Sequence, residues 1–305
     1  MSAGATPPSA LEPVEDLALK VGPPRDDASM ARRERITVLL HSKSFIAGAI
    51  IVGFFVFCAI FGSLVVLQDP YASDPLNQLQ SPSANYWFGT DRLGRDVFSR
   101  VIVGARDIMV IAPAATLLGT ILGTALGLVT GYFRGTVDDV LSRLIEAVLA
   151  LPVILVGILA LTSLGPSNVT IIIVVGFVFA PVIARTVRAA VLSERELEYV
   201  SAARLRNEKT PYILFAEILP NVMGPVVVEF TVRLGYAIFV VATLSFLGLG
   251  VQPPSPDWGL QVFEHYGLIS GGFWWPVLFP AAAIAILVIG VNLMADGLTQ
   301  AFEGR

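Results

Sequence analysis

Six long apolar runs divide the chain, near residues 45–67, 108–131, 144–163, 169–191, 223–248 and 274–295. Each is about 20 residues or longer, enough at 1.5 Å per helical residue to cross a hydrocarbon core about 30 Å thick. The pattern therefore predicts an all-α polytopic membrane protein with six transmembrane helices. The polar stretch at 68–106 holds Pro70, Pro75 and Pro82, then YWFGTDRLGRDVFSRVIVGAR. It predicts a short interfacial helix over 94–106 with Arg95, Ser99 and Arg106 on its polar side, anchored by Tyr86, Trp87 and Phe88. Between the fifth and sixth runs, Pro253, Pro254 and Pro256 exclude regular helix, while Trp258, Trp274 and Trp275 suit a headgroup layer. A partly re-entrant external loop is expected there.

Inside the second run, Gly119, Gly123, Gly127, Gly131 and Gly135 recur every four residues. That spacing makes a groove into which another helix backbone settles, either from this chain or from a second subunit. Pro113, Pro152 and Pro181 each remove a backbone donor and favour a kink. The single cysteine, Cys58, lies within the first run and reads as a small apolar filler.

A polar island, EYVSAARLRNEKTPYILFAEILPN at 198–221, interrupts the apolar pattern between the fourth and fifth runs. Residues 194–206 alternate charged with small or apolar groups at helical spacing: Leu197, Val200, Ala202 and Ala203 against Glu194, Arg195, Glu198 and Arg206. Asn207 tolerates the left-handed conformation that ends helices. Thr210 and Pro211 then suit an N-cap and first helical position, and Tyr212, Ile213, Leu214, Phe215 and Ile218 make a second apolar face expected to stop at Pro220. These two short amphipathic helices are too narrow to span a bilayer and too apolar for water, so they must dock on a protein groove or on the membrane surface.

Composition agrees with a membrane protein: 55% hydrophobic and 14% charged residues, with a mean hydropathy of +0.74, outside the range of soluble domains. Lys and Arg number six in 1–44, two in 132–143 and six in 185–222, with Arg305 at the end. The opposite loops carry only Arg92, Arg95, Arg100 and Arg106. The positive-inside rule puts both termini and the island in the cytoplasm. Residues 1–30, rich in Pro, Ala and acids, read as disordered tail without a secretory core. The expected organisation is a cytoplasmic tail (1–44), a first helix (45–67), an external loop (68–106), a five-helix core (107–298) carrying the helix pair at 194–220, and a short cytoplasmic tail (299–305).

The island resembles the cytoplasmic coupling motif of ABC importer permeases. Ala202, Ala203, Ile218, Leu219 and Pro220 match that motif, whereas Ser201 stands where the family has glutamate and Asn207 where it has glycine. FGTDRLGRD (88–96), SFLGLGVQPPSPDWG (245–259) and NLMADGL (292–298) further resemble the peptide/nickel branch, the dipeptide or oligopeptide permease C group; the final QAFEGR departs from it. The resemblance implies a type I ABC importer permease fold in a bacterial inner membrane. It implies ATPase coupling through Glu198, Ser201, Ala202, Ala203, Arg204, Asn207, Ile218, Leu219 and Pro220. It also implies docking of a binding protein at outer loops, with Asp91, Arg95, Asp96, Asp257 and Trp258 as candidates. The implied partners are a second homologous permease, two ATP-binding subunits that hold ATP and magnesium, an extracytoplasmic substrate-binding protein and the lipid bilayer, with no nucleic acid. Substrates in this branch include di- and oligopeptides, nickel, glutathione, opines and sugars; sparse ionisable groups in the spans favour a permissive path for short peptides.

The chain's own chemistry is limited. No GxxxxGK[ST] loop is present to cradle phosphates. HExxH and GxSxG are absent too, and the two histidines, His41 and His265, fall on opposite sides of the predicted topology. A non-catalytic permease without a bound cofactor is expected; a secondary carrier or channel is the alternative of another class. Glu229 and Arg233, four apart in the fifth run, are placed to form a helical ion pair. They read equally as part of the translocation path or as a self-neutralising structural pair.

Overall fold

The computed structural model describes residue 39 and residues 41–303. Most of the tail expected over 1–44, and residues 304 and 305, lie outside the described residues. Helices α1 (Lys43–Val65), α2 (Val97–Tyr132), α5 (Asn168–Glu194), α7 (Thr210–Phe246) and α9 (Trp275–Glu303) are each long and apolar enough to cross a bilayer. The third run is two helices, α3 (Thr136–Leu149) and α4 (Val153–Leu164), bent by 84° and counting as a sixth crossing only when taken together. This corrects the continuous helix expected over 144–163. Pro152 caps α4; it has no N–H to give, and its ring disfavours helical backbone at Leu151.

At the centre α2 lies along α5. A Cβ added to Gly119, Gly123, Gly127 or Gly131 would sit 2.8, 2.6, 2.8 or 3.0 Å from the carbonyl oxygens of Gly176, Ala180, Ala184 and Arg188. Both helices thus advance four residues per contact, and the glycine groove belongs to a pair within this chain. Gly135 is not part of the groove: its site is open and its φ of +78° makes it the turn residue before α3. The polar cost of the interface is small, because Thr116 and Thr120 donate at 2.8 Å to the carbonyls of Ala112 and Thr116 in their own helix. A second close crossing joins α1 to α9, where a Cβ on Gly48 would meet Gly290 O at 2.4 Å. Elsewhere α1 exposes Ile50, Ile60 and Leu64, the face expected of a helix in lipid.

Two loop expectations are corrected. No separate interfacial helix occupies 94–106: Asp96 accepts from Ser99 N at 2.8 Å and starts α2, so most of that stretch is the first turns of the long helix. Arg95 and Ser99 are buried, and Phe88 faces inward, stacked on Phe279 with centroids 3.9 Å apart. After the prolines of 253–256 a regular helix, α8 (Trp258–His265), begins with Asp257 as its cap. Trp258 and Trp275 are buried, and of the three tryptophans only Trp274 is exposed. α9 runs to Glu303, so residues 299–303 of the expected short tail are helical. Among the described residues the sole β feature outside helices is an isolated bridge between Thr90 and Asp96. At the neighbouring turn Gly94 (φ +75°) is required, since a Cβ would lie 1.9 Å from Asp74 O.

The α2–α5 contact predicts a sharp contrast between glycines. Gly127→Val should lower the stability of the detergent-solubilised protein by about 1–3 kcal/mol, read as an earlier thermal transition. Gly53→Ala, where a Cβ meets nothing within 4 Å, should not destabilise it.

Candidate functional site

The island folds as an elbow at one end of the bundle. α5 stops at Arg195, whose Nη1 donates to the carbonyls of Gly131 and Tyr132 at 3.3 and 2.5 Å, groups that α2 leaves without helical donors. Helix α6 (Glu198–Leu205) follows, with Glu198 in its first turn and Arg204 in its last, as the helix dipole favours. Arg204 also lies over the Tyr132 ring at 5.0 Å. The Tyr199 hydroxyl donates to Glu194 Oε2 at 2.7 Å; burial, reinforced by that carboxylate, pushes its pKa up to about 12.

The chain reverses at Asn207, which takes φ +56°, and Glu208 N donates to Ala203 O at 3.2 Å across the turn. Arg206 reaches Glu217 Oε1 at 3.3 Å and so ties the turn to the next helix. That next helix does not stop at Pro220. Lys209 caps it, and it runs on through α7. Pro220 has no N–H, and the backbone adapts by widening into a π turn over Ile213–Ile218, where Leu219 N donates to Leu214 O. Asn221 Nδ2 supplies the Glu217 carbonyl at 2.8 Å.

Burial sorts the elbow residues into two faces. Val200, Ala203, Ile213, Leu214 and Ile218 are buried between α6 and α7, so Ala203 is packing within the elbow and not its outer surface. Ser201, Ala202, Leu205, Tyr212, Phe215 and Pro220 face outward, with Leu205 85% and Phe215 58% exposed. Together they form an exposed apolar face on the helix pair.

At the opposite end of the bundle, Asp91, Arg95, Asp96, Asp257 and Trp258 are all buried at 6% exposure or less. The expected docking role is corrected on this ground: a buried side chain presents nothing for a binding protein to touch. These residues hold the outer segments on α2. Arg95 Nε lies 2.6 Å from Asp91 Oδ2, and its Nη2 lies 2.9 Å from Glu264 Oε2. Arg100 donates to the carbonyls of Pro70 and Ser255 at 3.1 and 3.3 Å. Trp258 Nε1 donates to Val101 O at 2.8 Å. His265 Nδ1 lies 2.7 Å from Gln261 O; a carbonyl only accepts, so this nitrogen carries the proton. Burial pushes the His265 pKa down against the pull of Asp91, leaving two carboxylates, Asp91 and Glu264, to balance Arg95 and Arg100. Arg100, Glu264 and His265 were not singled out from the sequence, because nothing local in 91–100 signals its pairing with 257–265.

Glu229 and Arg233 do form their pair, at 2.6 Å, and Arg233 lies over the Tyr236 ring at 5.0 Å. Tyr236 is 55% exposed, which sets the pair at the rim of this chain's bundle.

This architecture, with long helices in close contact and a structured elbow between two of them, accompanies a clear family match. Residues 123–305 match the family described as binding-protein-dependent transport system inner membrane component. The chain belongs to this family. Residues 32–82 match the N-terminal transmembrane domain of oligopeptide transport permease C, so this permease resembles that branch over its first helix as well. The dipeptide transport system permease protein DppC of Alkalihalophilus pseudofirmus is 37% identical over 93% of each chain. The di/tripeptide transport system permease protein DppC of Pseudomonas aeruginosa is 36% identical over 87% of this chain and 89% of its own. The oligopeptide transport system permease protein OppC of Bacillus subtilis is 36% identical over 87% of this chain and 86% of its own.

The residues at this end give the permease a pH signature. Desolvation raises the Asp257 pKa from 3.8 to about 6. A raised carboxyl pKa favours the fold most at low pH, and that contribution is lost as pH rises through 6. Between pH 5 and 7.5 the wild type should therefore lose about 1–2 kcal/mol relative to Asp257→Asn, which keeps a cap but does not titrate. Paired thermal melts across that range measure it.

Proposed function

We propose that this permease forms, with a second homologous permease, the translocation path of an ATP-driven importer for di- and oligopeptides. Two ATP-binding subunits hold ATP and magnesium, an extracytoplasmic binding protein delivers the substrate, and this chain is non-catalytic and carries no cofactor of its own. It sits in the bacterial inner membrane with both termini cytoplasmic, the orientation favoured by the distribution of Lys and Arg. The peptide substrate is supported by the names of the relatives, each of which is a dipeptide, di/tripeptide or oligopeptide permease.

One observation carries the reading: the outward apolar face of the elbow sits on helices bonded directly to the ends of α2 and α5 and continuous with α7. ATP-driven closure of the motor subunits pulls on this elbow, and the pull reaches three spanning helices without a flexible joint. Decisive switching between two arrangements needs a bias of about 5.5 kcal/mol, within the reach of ATP-coupled association. Ser201, Ala202, Arg204 and Leu205 meet the motor, whereas Ala203 and Ile218 keep the elbow rigid.

Two measurements follow. Ala202→Arg or Leu205→Glu should leave insertion and thermal stability near wild type, since both sites are exposed, yet abolish co-purification of the ATPase subunits; retained co-purification and substrate-stimulated hydrolysis would refute the coupling role. Replacing Glu229 and Arg233 together with methionine should leave the complex assembled and reduce peptide uptake roughly tenfold, as for a lost path contact. Full uptake would leave the pair structural. Uptake driven by a proton gradient in ATP-free vesicles would favour a secondary carrier.

A further inference from the structure

At the end of the bundle away from the elbow there is a cavity of about 670 Å³, within the range of small-molecule sites. Its walls come from the end of α1, from α2 between Val103 and Ile111, from the turn before α5 and from the loop before α8. Arg106 lies in this wall, nine residues into α2 and so about 14 Å along it. It is exposed to the cavity and forms no ion pair with any described residue. Among other arginines on long helices, Arg100, Arg188 and Arg233 have carboxylates within 4 Å, whereas the exposed Arg185, like Arg106, has none among the described residues. Arg106 stands just before the apolar run at 108–131, and its guanidinium donors face the cavity. Next to it Asp107 accepts from Ser255 Oγ through Oδ2 alone, which leaves Oδ1 for another donor. Asn168 and Gln252 add amide groups to the same wall.

We propose that this cavity is the entry site for peptide on this chain, with Arg106 receiving the C-terminal carboxylate and Asp107 the N-terminal ammonium. The inference rests on the peptide-importer reading and adds to it where the substrate first lodges. Both signs of charge beside amide donors and acceptors fit a zwitterionic backbone, whereas an anionic lipid headgroup would leave Asp107 repelled. The exposed apolar side chain of Val110 in this wall offers unselective contact to peptide side chains.

The test uses the whole complex with its binding protein in proteoliposomes, and compares Ala-Ala with its C-terminal amide at equal occupancy of the binding protein. Arg106→Gln should slow Ala-Ala uptake roughly tenfold, the loss of about one charge-assisted contact, and bring the Ala-Ala to amide ratio close to one. Arg106→Lys should restore much of the ratio. An unchanged ratio, whether both rates fall together or neither falls, overturns the assignment. So does an effect of Arg106→Gln that appears only with anionic lipids, which would make the cavity a headgroup site. If the wild-type complex imports no di- or oligopeptide, the peptide reading itself fails; if it imports Ala-Ala and Arg106→Gln imports it equally well, only the entry site fails.

Discussion

The packing of α2 on α5 is the contact on which the other features depend. Between helices in hydrocarbon the solvent supplies no hydrophobic drive, so association rests on dispersion across matched surfaces and on close backbone approach. Glycines at 119, 123, 127 and 131 remove the side chains that would hold the axes apart, and the carbonyls of 176, 180, 184 and 188 meet them in step. Four consecutive contacts at one spacing leave no freedom to slide. The ends of the two helices are consequently fixed relative to each other, and the elbow is built on one pair of ends, where Arg195 of α5 bonds the last carbonyls of α2.

The other end is secured by charge. Arg95 and Arg100 are removed from water together with Asp91 and held against the partly exposed Glu264, and a buried cation without its partner costs several kcal/mol. Because these groups come from the segment before α2, from α2 itself and from α8, the cluster joins the loop at 70–96 to α8 and the loop before it through α2. Trp258 continues the join into the apolar layer, donating to Val101 O and meeting Phe55 of α1 edge-on at 5.2 Å. The cavity that holds Arg106 opens beside this join. Its floor is therefore set by rigid elements, and in the proposed mechanism motion of the elbow reaches it along α2.

Proline and its neighbours decide how force would travel between the two ends. At Pro152 the chain breaks by 84°, and no stiff connection passes. Around Pro220 the backbone widens into a π turn just before the proline, and the helix passes through unbroken. The same residue type acts as a joint in one place and as part of a rod in the other. The difference lies in the local backbone: Pro152 stands at the start of a new helix, whereas Pro220 follows a π turn inside a continuous one.

The sequence alone determined the membrane class, five of the spanning helices, the four-residue glycine groove, the reversal at Asn207 and the family resemblance of 198–221. These properties depend on composition and on local periodicity, which neighbouring residues encode completely. It misplaced what depends on distant partners. An amphipathic pattern over 94–106 looks alike whether its polar side meets headgroups or a carboxylate from α8, and burial of Asp91, Arg95 and Trp258 became visible only when residues more than 150 positions away closed over them. Likewise, whether Pro220 ends a helix rests on the backbone around it, and whether Ala203 faces inward rests on α7. Tertiary structure decided these points because a side chain's surroundings are set by what packs against it, and that information is absent from any local window of sequence.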